Sequence, residues 1–159
     1  NDIKYRYFLM KKGIQPSFLP KFYGYFDTSD IFGCELEHLT SSTHLQCVTM
    51  TEFLKTAEAY ELNELRTRLD NIKQEIIRLN IVFAEIKPEN ICLLLKRTDR
   101  TVERIVFYSS LGSFNLIPLP LLLRLLGRRL IEREWQRFWQ ILQTELPSNA
   151  RCLHTKPKQ

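Results

Sequence analysis

Leu62, Leu65, Leu69, Ile72, Ile76 and Leu79 recur in steps of three and four, and this stripe constrains the fold more than any other feature. At 3.6 residues per turn these positions share one face of a helix, and an apolar face must be buried against something. The spacing predicts a helix over 61–79, with Asn80 placed to cap its end. Such a stripe serves core packing rather than cofactor binding.

The elements that could cover this face lie on both sides of it. Thr49-Met-Thr-Glu52 has the form of a capping box, in which the hydroxyl and the carboxylate each satisfy a free amide of the first turn. A helix is predicted from there to about Tyr60. Residues 3–12 read as a short basic helix stopped by Gly13. The β-type runs 22–26 and 32–39 form a hairpin around the DTSD turn at 27–30, and 40–47 is a polar connector. Beyond the central helix come the apolar run 81–84, the polar loop 85–90, and a second hairpin from 91–96 and 102–108. A last helix begins near Pro120, where proline is tolerated in the first turn. Leu123, Leu126, Leu130, Phe138 and Leu142 line one side of it, with Trp135 and Trp139 close by, and Arg129, Arg133 and Arg137 lie on another. No repeats occur. The order predicts an α+β arrangement in one continuous domain over 1–146, followed by a flexible tail over 147–159.

A chain of 159 residues can bury roughly two-thirds of its unfolded surface without disulfides or metals. With 44% hydrophobic and 26% charged residues it belongs among soluble globular proteins. The four cysteines are scattered without a C-x-x-C pair, and the three histidines complete no zinc-ligand spacing. Cys92, inside an apolar run, is expected to be a buried free thiol, and a reduced, cytoplasmic setting fits. The apolar run 116–126 contains two prolines and Arg124 and falls short of the ~20 residues that a membrane span needs. The chain begins with Asn1, so further residues can precede it. Much of the net charge of +5 sits on Arg124, Arg128, Arg129, Arg133 and Arg137. That cluster suits nucleic acid or an anionic surface, with the tryptophans as stacking groups, and equally suits a solvated helix face.

Glu85-Ile-Lys-Pro-Glu-Asn90 resembles the catalytic loop of protein kinases, H-R-D-L-K-P-E-N, set between a long helix and a hairpin as in that fold. A narrower likeness covers residues 15–142. Leu19-Pro20-Lys21-Phe22-Tyr23-Gly24, Thr49 to Phe53, Ile81-Val82, Lys87 to Ile91, Leu116 to Leu119 and the basic helix Arg129 to Phe138 resemble, in order, the elements of the YrbL family, PhoP-regulatory-network proteins of Gram-negative bacteria. The resemblance implies a protein-kinase-like fold, with 1–40 as a partial N-lobe of helix and hairpin and 41–146 as the helical C-lobe. The strands of the glycine loop are absent from this chain, and no G-x-G-x-x-G occurs.

By the same resemblance Glu85 stands at the catalytic aspartate, Lys87 at the group steadying a transferred phosphoryl, Asn90 at a magnesium ligand, and Ser109 at the second metal aspartate. Glu85 keeps a carboxylate but lengthens it by a methylene, and a ~1 Å misplacement can cost ~100-fold. Ser109 replaces a carboxylate with a neutral hydroxyl, a poor ligand for a hard cation. These departures imply a degenerate, pseudokinase-type regulatory or interaction protein, with a protein partner and no cofactor. Magnesium and ATP enter only under the alternative, an active phosphotransferase whose N-lobe lies outside this chain. A third reading takes the 124–137 helix as a binder of nucleic acid or an anionic surface.

Overall fold

The computed structural model describes residues 2–28, 32–109, 111 and 124–145. Its first helix, α1 (Asp2–Lys11), ends at Gly13, whose φ of 65° lies in the left-handed region that glycine enters without strain. A hairpin follows, β1 (Phe22–Asp27) against β2 (Phe32–Leu36), antiparallel, with a bulge between Phe22 and Gly24. Gly24 takes a φ of 152° there, which explains a glycine at the bulge. Across the ribbon Phe26 lies over Gly33, where an added Cβ would meet the ring at 2.5 Å.

Residues 40–47, expected to be only a connector, contribute most of a strand, β3 (Leu45–Thr49). It is an edge strand of mixed character, and its partner β4 is the more apolar of the two. Thr49 then caps α2 (Met50–Thr56) through the expected capping box, with Glu52 N–H donating to the Thr49 hydroxyl at 3.2 Å and Thr49 N–H donating to the Glu52 carboxylate at 2.9 Å. This helix stops before Tyr60 because Ala57 turns extended. The chain restarts at once as α3 (Ala59–Leu79), helped by Glu58 N–H donating to the Glu61 carboxylate at 2.7 Å. Asn80 closes α3 in the left-handed conformation, as the sequence predicts, its N–H reaching the Ile76 and Ile77 carbonyls.

After a single 3-10 turn at Pro88–Asn90 come β4 (Ile91–Lys96) and β5 (Val102–Phe107), giving a three-stranded antiparallel sheet in the order β3-β4-β5. Its inner face carries Leu93, Leu95, Ile105 and Phe107, which join Leu65, Leu69 and Ile76 of α3 in one core. The last helix, α4 (Arg124–Glu145), closes this core with Ile131, Trp135, Phe138 and Leu142. Trp135 is therefore part of the apolar stripe, not beside it, whereas Leu126 is exposed and Leu130 is half-buried. Leu123 lies outside the described residues, as does the expected tail at 147–159. A 2.7 Å ion pair between Lys73 and Glu132 joins α3 to α4. The α+β class stands. Among the described residues no helix is long and apolar enough to cross a membrane.

Candidate functional site

The loop between α3 and β4 alternates between anchors and open side chains. Ile81, Val82, Phe83, Ile86 and Pro88 are buried, which leaves Glu85 and Asn90 facing solvent and Lys87 half-covered. Val82 is held further by its N–H, which donates to the Tyr5 hydroxyl at 3.4 Å, while that hydroxyl donates to the Asn80 carbonyl at 3.2 Å. Burial pushes the Tyr5 phenol up to about 12, so it stays protonated and can serve both contacts.

Glu85 and Lys87 form an ion pair at 3.1 Å, with side chains 56% and 38% exposed. Each therefore neutralises the other in solvent. Asn90 is positioned through its backbone: its N–H donates to the Lys87 carbonyl at 3.0 Å and its carbonyl accepts from Tyr108 N–H at 2.8 Å. That second bond brings the Lys87–Asn90 turn beside Tyr108 and Ser109. A bridge between Phe83 and Leu111 draws the same two segments together again. The structure thus gathers Glu85, Lys87, Asn90 and Ser109 into one region.

Ser109 itself is turned inward. It is 1% exposed, and its hydroxyl has no hydrogen-bond partner among the described residues. Its carbonyl accepts from the buried Arg6 guanidinium at 3.3 Å. Asp2 pairs with Arg6 at 3.1 Å through one carboxylate oxygen and accepts from Leu111 N–H at 2.9 Å through the other. Two side chains one helical turn apart on α1 therefore clamp the segment that leaves β5.

Magnesium calls for near-octahedral oxygen ligation, usually with a carboxylate. The donors at the four motif positions are a buried hydroxyl, an exposed amide and a carboxylate already held by an ammonium, and these do not fit that ion. Among the described residues no cluster of three or more His, Cys, Asp or Glu side chains is placed to hold a metal.

A second polar centre lies on the outer face of the three-stranded sheet. Arg104 meets the Glu37 carboxylate with two bonds, at 2.8 and 3.0 Å, and also donates to the carbonyls of Ser17 at 2.8 Å and Leu19 at 3.1 Å. Bonding to Arg104 holds the Glu37 carboxyl below the usual carboxylate range, against the opposing effect of burial. Tyr108 donates to the Glu37 carbonyl at 2.8 Å and accepts from Leu39 N–H at 3.2 Å. Residues 37–39 are thus strapped to the position next to Ser109, and burial raises the Tyr108 phenol.

The basic residues of α4 stand apart from this region. Arg128 and Arg129 are exposed on the helix beside Leu125, which is 80% exposed. Arg133 and Arg137 each donate to the buried Glu134 carboxylate at 3.1 Å, so these two are tied within the helix. The side chain of Arg124 lies outside the described residues.

Sequence reasoning missed Asp2, Arg6, Glu37, Arg104 and Tyr108. The i, i+4 spacing of Asp2 and Arg6 was a visible sign of an ion pair, though not of its burial. Nothing local announces the Glu37–Arg104 pair, whose members are 67 residues apart.

No curated protein and no solved structure matches the chain. Residues 1–143 match the family model described as PhoP regulatory network protein YrbL, and with the sequence elements 19–24, 49–53 and 87–91 in place the chain belongs to that family.

Proposed function

We propose that this chain is a degenerate, kinase-like regulatory module that carries out little or no magnesium-dependent phosphoryl transfer from ATP. One observation carries the proposal: the residue at the metal-aspartate position, Ser109, is a buried neutral hydroxyl whose backbone is clamped by Arg6. The Glu85–Lys87 ion pair supports it, because a general base and a phosphate-steadying cation that neutralise each other are poorly placed to act on a substrate. The backbone-bonded turn at Lys87–Asn90 supports a scaffold role, since Tyr108 N–H holds it through the Asn90 carbonyl.

The proposed counterpart is another protein. Phe8, Tyr23, Tyr25 and Phe26 leave large apolar side chains exposed on α1 and β1, a feature of protein-binding surfaces. Nucleic acid is the weaker candidate, because Arg133 and Arg137 are engaged by Glu134.

Thermal unfolding with and without magnesium and ATP tests the central reading. The expected result is the same midpoint in both conditions, for wild type and for Asn90→Ala. A magnesium-dependent upward shift that Asn90→Ala abolishes would overturn it, as would transfer of labelled phosphate that Glu85→Gln removes.

A further inference from the structure

The register of the three-stranded sheet places two cysteines together outside the region already described. Cys47 of β3 lies opposite Leu94, and Cys92 of β4 lies opposite Thr49. The two thiols therefore point to the same outer face as diagonal neighbours on adjacent strands. Cys47 is near enough to help hold the Cys92 thiol up. Both are free and partly exposed, so Cys92 is half-buried where the sequence suggested a buried thiol.

We infer that Cys47 and Cys92 are a dithiol pair that closes reversibly to a disulfide by exchange with a small-molecule disulfide, joining β3 to β4 two residues beyond Asn90.

The chemistry assigns an order to the two sulfurs. Burial first, and then the neighbouring Cys47, pushes the Cys92 thiol up to about 11, which leaves it almost wholly protonated at neutral pH. Attack therefore begins at Cys47. Its thiolate, having given its proton to water, displaces one thiolate from the small disulfide and forms a mixed disulfide. Cys92 then loses its proton and attacks the Cys47 sulfur, and the second small thiolate leaves. The protein loses two hydrogens, and the small disulfide becomes two thiols once its thiolates take up protons.

Closure must bring the two sulfurs to about 2.05 Å, and because diagonal neighbours start several ångströms farther apart it needs a shift of the backbone. The edge position of β3 allows this, because among the described strands it is paired on one side only and can shift without disturbing β5. Its consequence would fall on both neighbours of the link, the Thr49 cap of α2 and the Lys87–Asn90 turn. The pair requires no phosphoryl transfer and stands apart from the proposed function.

The test is incubation of the full chain with oxidised glutathione, followed by thiol counting and peptide mapping without reductant. The expected result is the loss of two thiols per chain, a Cys47–Cys92 linked peptide, and full reversal by dithiothreitol. Cys92→Ala should stop at a glutathione adduct on Cys47. Cys47→Ala should leave Cys92 unmodified under the same conditions. Wild-type mapping alone decides the matter should either variant fold poorly. Adducts without the internal link, a link through Cys34 or Cys152, or no thiol loss would overturn the inference.

Discussion

Arg6 of α1 donates to the carbonyl of Ser109 across 103 residues of sequence, at 3.3 Å. With Asp2 bound to both Arg6 and Leu111 N–H, the first helix fixes the path of the chain leaving β5. A buried guanidinium is tolerated only when its donors are used, so removing it disrupts more than one contact. Arg6→Ala is expected to lower stability by about 1.5–3 kcal/mol, the range for losing hydrogen bonds to a charged group. Urea unfolding measures that loss. Amide exchange should also speed up at Leu111, and unchanged exchange there would mean that the clamp is not what orders the segment.

The Ser109 hydroxyl is buried with no partner among the described residues, so it carries a desolvation cost without a compensating bond from them. Ser109→Ala should therefore be neutral or stabilising by up to about 1 kcal/mol, whereas loss of a bonded buried hydroxyl would destabilise. The midpoint of denaturant unfolding distinguishes the two. A clear loss of stability would point to a partner for this hydroxyl.

The Glu85–Lys87 pair is open to solvent, and exposed ion pairs contribute little. Glu85→Gln is expected to change stability by less than ~1 kcal/mol and to leave the unfolding midpoint equally blind to magnesium and ATP. A larger destabilisation would show that the loop depends on this carboxylate for its order.

What the sequence disclosed and what it withheld divide along the reach of the interactions. The α3 stripe, the Thr49–Glu52 box and the Asn80 cap were legible because each involves residues within a turn or two of one another. Gln46 and Cys47 gave no strand signal because β3 exists through its pairing with β4, a contact some 45 residues away in sequence. Trp135 was misplaced relative to the α4 stripe because the partners that choose its buried face, Phe107 among them, come from other elements. The loop residues Glu85, Lys87 and Asn90 could be singled out by motif. The inward turn of Ser109 could not, since it follows from Arg6 and Asp2 at the far end of the chain.

The Glu37–Arg104 pair makes a prediction about acid. Because the Glu37 carboxyl titrates lower in the folded chain than in the unfolded one, the unfolded state takes up its proton first as pH falls. The stability from this pair is therefore fully present above the ordinary glutamate value of about 4.3 and is lost as pH drops through the lower folded value. Arg104 keeps its charge throughout, so at low pH it faces a neutral acid while still bound to the Ser17 and Leu19 carbonyls. Glu37→Gln keeps the shape but removes the titration. It should cost roughly 1–3 kcal/mol at neutral pH and much less once the pH is below the folded value, so the two stability curves converge on the acid side. Urea unfolding of both proteins across that range reads the difference directly. Glu52 and Asp99 are also held low, by bonds to Thr49 and Thr101, so the variant should retain some acid sensitivity. Parallel curves, with the same gap at neutral pH and at the acid end, would mean that Arg104 owes its place to the two carbonyls and not to Glu37.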